Sequence, residues 1–164
     1  MKKILLTGLF GAFFAFSCTS QKAGQESTQA QTPSVYKLKG DWQITSVDYD
    51  KNFKFKPFHE GADAQCFVGS TWRLIPNNNS GAYNLNGGGN CPTLTQPIKF
   101  EVTKDNDFKF KKLQADVKAK NVIEGYILRL ENHQQDSFTL VQDVPFEGQI
   151  LKVSYQFKRI STTK

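Results

Sequence analysis

The sequence is poor in the groups that carry covalent and acid–base chemistry. It has two histidines and three cysteines in 164 residues. His59-Glu60 is not followed by a second histidine four positions after the first, so the zinc-protease helix pattern is missing. No serine stands in a Gly-x-Ser-x-Gly elbow. Gly87-Gly88-Gly89 is not followed by the Lys-Ser/Thr of a phosphate-cradling loop. Neither Cys66 nor Cys91 has a second Cys or His at ligand spacing, which argues against zinc. His133 lies in a polar turn, where a solvated ring is the expectation. Asp48, Asp50, Glu60 and Asp63 fall in or beside loops, where carboxylates are more often solvated than paired. No catalytic residue, metal or cofactor is therefore expected, and the chain reads as a non-enzyme.

Helix-favouring Ala/Leu/Glu runs are also scarce, while aromatic residues reach 13% with 14 phenylalanines, a composition that leans toward strands. The length suits one domain. The formal charge of +6 falls to +4 without Lys2 and Lys3, a weak and diffuse attraction toward anionic surfaces. No nucleic-acid recognition motif accompanies it, so no nucleic-acid partner is expected.

A long apolar run occurs once, at residues 4–16 behind Met1-Lys2-Lys3. It is too short to span a bilayer and of the right length for the core of a signal peptide, here assigned to residues 1–17. Ala15-Phe16-Ser17-Cys18 resembles the lipobox of bacterial lipoproteins, which implies that Cys18 is acylated and becomes the first residue of the mature chain. It departs from that pattern in having Ala15 where the family prefers leucine. Ala15-x-Ser17 also suits ordinary signal peptidase at the same bond. Two or three acyl chains on one cysteine anchor a protein stably. Residues 19–34 are polar and free of aromatics until Val35, so residues 18–34 read as acylated cysteine plus flexible tether. There is no aspartate directly after Cys18 and no acidic run, which favours the periplasmic face of the outer membrane. In such an oxidising compartment Cys66 and Cys91 are the natural disulfide pair; two buried free thiols are the alternative.

Residues 35–164 form the folded domain, with eight strand candidates. The first covers residues 39–48, with Trp42 and Ile44 on one face and a change of phase before Val47 that suggests a bulge. Residues 51–66 are irregular, with a short strand or a lid at 53–58 and a helical turn near 59–64. The second strand is placed at 68–75 with Val68, Trp72 and Leu74 in register, and the third at 82–86 with Tyr83 and Leu85 in phase. Residues 86–90 read as a flexible glycine loop. Ile98, Phe100 and Val102 alternate with polar residues, as does Phe108-Lys109-Phe110-Lys111. The last three strands fall at about 122–131, 138–143 and 151–160, with residues 145–148 as a turn. The lysines beside Phe53, Phe55, Phe108 and Phe110 read as a solvated outer face, or as a basic face toward anionic headgroups or an acidic partner.

Eight antiparallel strands joined mostly by short turns suit an all-β, up-and-down barrel, with a two-sheet sandwich as the alternative. Three stretches carry a resemblance: Leu38, Gly40 and Trp42; Cys66-Phe67-Val68-Gly69-Ser70-Thr71-Trp72 with the following Asn-rich hairpin; and Phe157-Lys158-Arg159. Through them the chain resembles the lipocalin-like domain of Gram-negative outer-membrane lipoproteins, over residues 35–160. The resemblance implies a barrel floor made by Gly40, Trp42 and Arg159. It also implies a small hydrophobic ligand, for which Trp72, Tyr83, Phe100, Tyr126, Leu128, Phe138, Tyr155 and Phe157 are the candidate lining. The same rings could instead fill the barrel as core. In that case the chain would be an envelope adaptor, presenting loops such as residues 51–66 to a protein partner.

Overall fold

The computed structural model describes residues 35–160, apart from the side chains of Val35, Tyr36 and His59. The expected signal peptide, the expected acylation of Cys18 and the expected tether all fall outside the described residues.

Eight strands follow in order: β1 (Gly40–Asp48), β2 (Thr71–Ile75), β3 (Ser80–Gly88), β4 (Cys91–Val102), β5 (Asp107–Lys112), β6 (Tyr126–Glu131), β7 (Ser137–Phe146) and β8 (Gln149–Arg159). Each pairs antiparallel with the next, and β1 pairs with β8, so the sheet closes into a barrel. Closure decides between barrel and sandwich, because it leaves no edge strand with unpaired backbone. The first and last strands meet at Trp42↔Arg159 and Asp48↔Ser154, with a register shift between Ile44 and Ser46. That bulge is the expected phase change: it lets Trp42, Ile44 and Val47 all point inward.

Period-two alternation produces the walls. Leu74, Leu85, Ile98, Phe108, Leu130, Val153 and Tyr155 are all buried, while their sequence neighbours face out. Cys66 and Cys91 form a disulfide with a Cα–Cα distance of 5.4 Å, tying the end of the β1–β2 connection to the start of β4. Closing a loop of that length stabilises the fold by about 3 kcal/mol in the chain-entropy account.

Several boundaries differ from expectation, each for a local reason. The second strand begins at Thr71, because residues Ala64–Phe67 form a 3-10 turn capped by the Asp63 carboxylate, and Val68 follows that turn as an exposed residue. The glycine stretch is not a loose loop: Gly88 pairs with Cys91, so β3 and β4 meet in a tight hairpin whose positive φ values at Gly88 and Gly89 suit glycine. Pro145 and Phe146 belong to β7, paired with Ile150 and Gln149, and the turn is only Glu147-Gly148, both left-handed as a two-residue hairpin requires. Strand β6 starts at Tyr126 rather than at residue 122. Residues 53–58 form no strand.

Candidate functional site

One end of the barrel is shut by its own wall. Trp42 is fully buried and its indole N–H donates to the Leu38 carbonyl at 2.9 Å. Phe138 stands edge-on to it at 4.7 Å and stacks on Phe157 at 4.4 Å. The Arg159 guanidinium lies 4.2 Å from the Trp42 ring. It donates to the carbonyls of Lys37, Lys39 and Gln135, and pairs with Asp136 at 3.2 Å. Gly40 makes this crossing possible, since a Cβ there would sit 2.5 Å from an Arg159 nitrogen and its φ is +138°. Gly40, Trp42 and Arg159 thus occupy one assembly, and two of the proposed lining residues, Phe138 and Phe157, belong to it.

His133, from the β6–β7 turn, packs its ring edge-on to Phe138 at 6.4 Å, with Nε2 enclosed and without a hydrogen-bond partner. It is therefore not the solvated turn residue that its polar neighbours suggest. Burial, followed by the nearby cations Lys37 and Arg159, lowers its pKa.

The other end is filled from a loop. Phe58, in the connection between β1 and β2, is only 2% exposed. Its ring lies 5.1 to 6.4 Å from those of Phe67, Trp72, Phe110, Tyr126 and Tyr155, which come from different sides of the barrel. Three of the proposed lining residues therefore surround a side chain of the protein itself. A fourth, Tyr83, stacks on Trp72 at 4.6 Å. Phe100 stacks on Phe108 at 5.3 Å instead, and Leu128 sits opposite Phe108 across the ladder. Phe58 holds this place with φ +54° and ψ +25°, a left-handed conformation that a bulky residue adopts at a cost of about 1–3 kcal/mol.

A polar cluster fixes the loop above that ring. The Lys112 ammonium donates to the Phe58 carbonyl at 2.8 Å and to the Glu60 carboxylate at 3.0 Å. Tyr83 donates its hydroxyl to the same Glu60 oxygen. The Tyr126 hydroxyl lies 3.0 Å from the Phe58 carbonyl and 2.7 Å from Glu124. Burial first, and then their carboxylate neighbours, push both tyrosine hydroxyls far above the usual phenol range, so they remain protonated donors. The Glu60 and Lys112 side chains are 9% and 22% exposed. Glu60 is therefore a paired carboxylate, contrary to the expectation of a solvated one. Lys112 shares the inward parity of Phe108 and Phe110, so the outward lysines of this strand are only Lys109 and Lys111. Parity was the available signal for Lys112; for Phe58 the sequence carried none.

On the outside, a groove of about 730 Å³ lies over β4–β6, with Lys99, Lys109, Lys111, Lys120, Ile123 and Ile127 among its lining. Ile123 is fully exposed. Among the described residues, no group of three or more His, Cys, Asp or Glu side chains is placed to hold a metal ion.

The family model of the lipocalin-like domain matches residues 38–134, from the lead into the floor tryptophan to the β6–β7 turn. The chain belongs to the lipocalin-like domain family. No curated protein matches the sequence. Among solved structures, this lipocalin-like chain is similar to bovine lipocalin allergen Bos d 2, with 12% identity, a TM-score of 0.45, and coverage of 80% of this chain and 79% of that one. It is also similar to a complex of bovine odorant binding protein with a selenium-containing odorant, with 9% identity, a TM-score of 0.45, and coverage of 80% and 75%.

Proposed function

We propose that this lipocalin-like chain binds a small apolar molecule in the mouth half of its barrel, and does so while held at the outer membrane by acyl chains on Cys18. One observation carries the binding reading: the ring that fills the mouth belongs to a connecting loop. A wall residue cannot leave without breaking the ladder, whereas Phe58 can swing out with every strand pair intact. Its left-handed backbone is strained in place, so departure returns part of that cost. An incoming apolar group would inherit the aromatic surround of Phe67, Trp72, Phe110, Tyr126 and Tyr155.

The reading is binding rather than catalysis, because the polar groups at the mouth are already paired, the Glu60 carboxylate accepting from both Tyr83 and Lys112. The test is Phe58→Ala. The variant should bind an apolar naphthylamine fluorophore at one site per chain, and more tightly than the parent does. A folded Phe58→Ala protein that takes up no fluorophore overturns the proposal. The anchor is tested separately: Cys18→Ser should move the protein from the membrane fraction to the soluble one, and an unchanged distribution removes the lipoprotein reading.

A second reading, an adaptor for another envelope protein, is supported by the exterior groove with its exposed Ile123 and Ile127. The loop at residues 51–66, expected to offer the adaptor surface, instead turns Phe58 inward and packs Phe53 on Phe146 at 4.9 Å. Substituting Ile123→Asp and Ile127→Asp should abolish partner capture without altering fluorophore binding.

A further inference from the structure

The loop that stoppers the mouth delivers two different chemical groups into it. Phe58 places an apolar ring among aromatic walls, and two residues later Glu60 places a carboxylate on the Tyr83 hydroxyl and the Lys112 ammonium. An apolar body joined to a carboxylate head is the make-up of an amphipathic organic acid. We infer that the ligand of this barrel is an amphipathic carboxylate, which displaces Phe58 into solvent and takes over from Glu60 the contacts to Lys112 and Tyr83. The inference rests on the binding-barrel reading and names its ligand class.

The loop is built as a unit that can leave. The Ala64 amide donates to the Phe55 carbonyl at 2.9 Å, closing the neck of an excursion over residues 56–63. Below that neck the Cys66–Cys91 disulfide pins the chain to β4. Within the excursion Gly61 takes a positive φ and a side chain there would meet nothing within 4 Å, so motion is sterically open at that point. Lifting residues 56–63 leaves the two strands, the neck and the disulfide in place.

The same step sets the selectivity. When Glu60 leaves, Lys112 loses its carboxylate partner and the Phe58 carbonyl together. A neutral ligand would strand that ammonium and the Tyr83 hydroxyl beside aromatic walls, where unpaired polar groups are costly. A carboxylate restores both contacts. Both tyrosines stay protonated, and so able to donate, through the physiological range.

The experiment compares decanoate with decanol by titration calorimetry, using the full chain with Cys18→Ser to keep it in solution. In Phe58→Ala/Glu60→Gln, which removes both loop-borne groups, decanoate should bind at least tenfold tighter than to the parent and at least tenfold tighter than decanol. Adding Lys112→Gln should erase the preference for the acid, with decanoate affinity falling and decanol affinity equal or higher. Equal binding of acid and alcohol with Lys112 present, or an acid preference that survives Lys112→Gln, overturns the carboxylate assignment while the binding barrel stands. Binding of neither compound to a folded variant removes the binding barrel itself. Should the double variant fail to fold, Glu60→Gln alone decides: decanoate affinity must rise over the parent by more than decanol affinity does, and an equal rise or none overturns the inference.

Discussion

The two ends of this barrel are closed by aromatic rings, an indole and a phenyl, that are held in opposite ways. At the floor, Trp42 belongs to β1, pairs across to Arg159 of β8, and is locked by a guanidinium that donates to three backbone carbonyls. At the mouth, Phe58 belongs to no strand, sits in a strained conformation, and is held through a carboxylate–ammonium contact between side chains. A stopper made from the wall is part of the fold's cooperative unit. A stopper lent by a loop is a separable one, and local opening is drawn from such low-stability segments.

Trp42→Ala should be the most damaging change, removing about 4 kcal/mol of stability in urea denaturation, the range for large aromatic truncations in a packed interior. Phe58→Gly deletes a smaller but equally buried ring. It should nevertheless cost only about 2 kcal/mol, because glycine accepts the left-handed backbone without the strain that phenylalanine bears there. Equal losses at the two sites would erase the distinction between floor and mouth.

A smaller effect sharpens the account of the floor. Arg159→Lys keeps the charge but loses the planar fork, so it should cost about 2 kcal/mol. Gly40→Ala, by driving a Cβ against the same guanidinium, should cost a similar amount. Combined, the two should cost clearly less than their separate losses added together, because both break one contact set. Strict additivity in the double variant would show that Gly40 acts independently of Arg159.

The smallest effect concerns pH. The pKa of His133 is lowered in the folded chain by burial and by Lys37 and Arg159, below the ordinary 6.5. The unfolded chain therefore takes up the proton first as pH falls. His133 contributes full stability above pH 6.5 and loses it progressively below, down to the folded-state pKa. Chemical denaturation at pH 7.5 and pH 5.5 should show this loss, and His133→Gln should flatten it.

The walls were legible because their signal is local. Ile98-Lys99-Phe100, Phe108-Lys109-Phe110 and the run from Leu151 to Phe157 each alternate, and a period of two assigns faces without knowledge of any partner strand. The floor was legible through a resemblance that named Gly40, Trp42 and Arg159 together. Lys112 was within reach: it follows Phe108 and Phe110 by even steps, and its charge drew attention away from its parity. Strand ends were harder, since Gly88–Cys91 and Pro145–Ile150 pair only because the neighbouring strand is already in register. Phe58 and Glu60 were out of reach, because nothing in Lys56-Pro57-Phe58 states that this ring travels to the centre.

The amino-acid sequence by itself determined the number of strands and the inward parity of their side chains, both properties of a chain segment and its immediate neighbours, while the floor residues were named by resemblance. Tertiary structure alone decided that the sheet closes, that the barrel's mouth is filled by a loop rather than by its walls, and that a carboxylate meets Lys112 there. Those outcomes depend on residues distant along the chain meeting at one point, and no local pattern encodes which loop reaches it first.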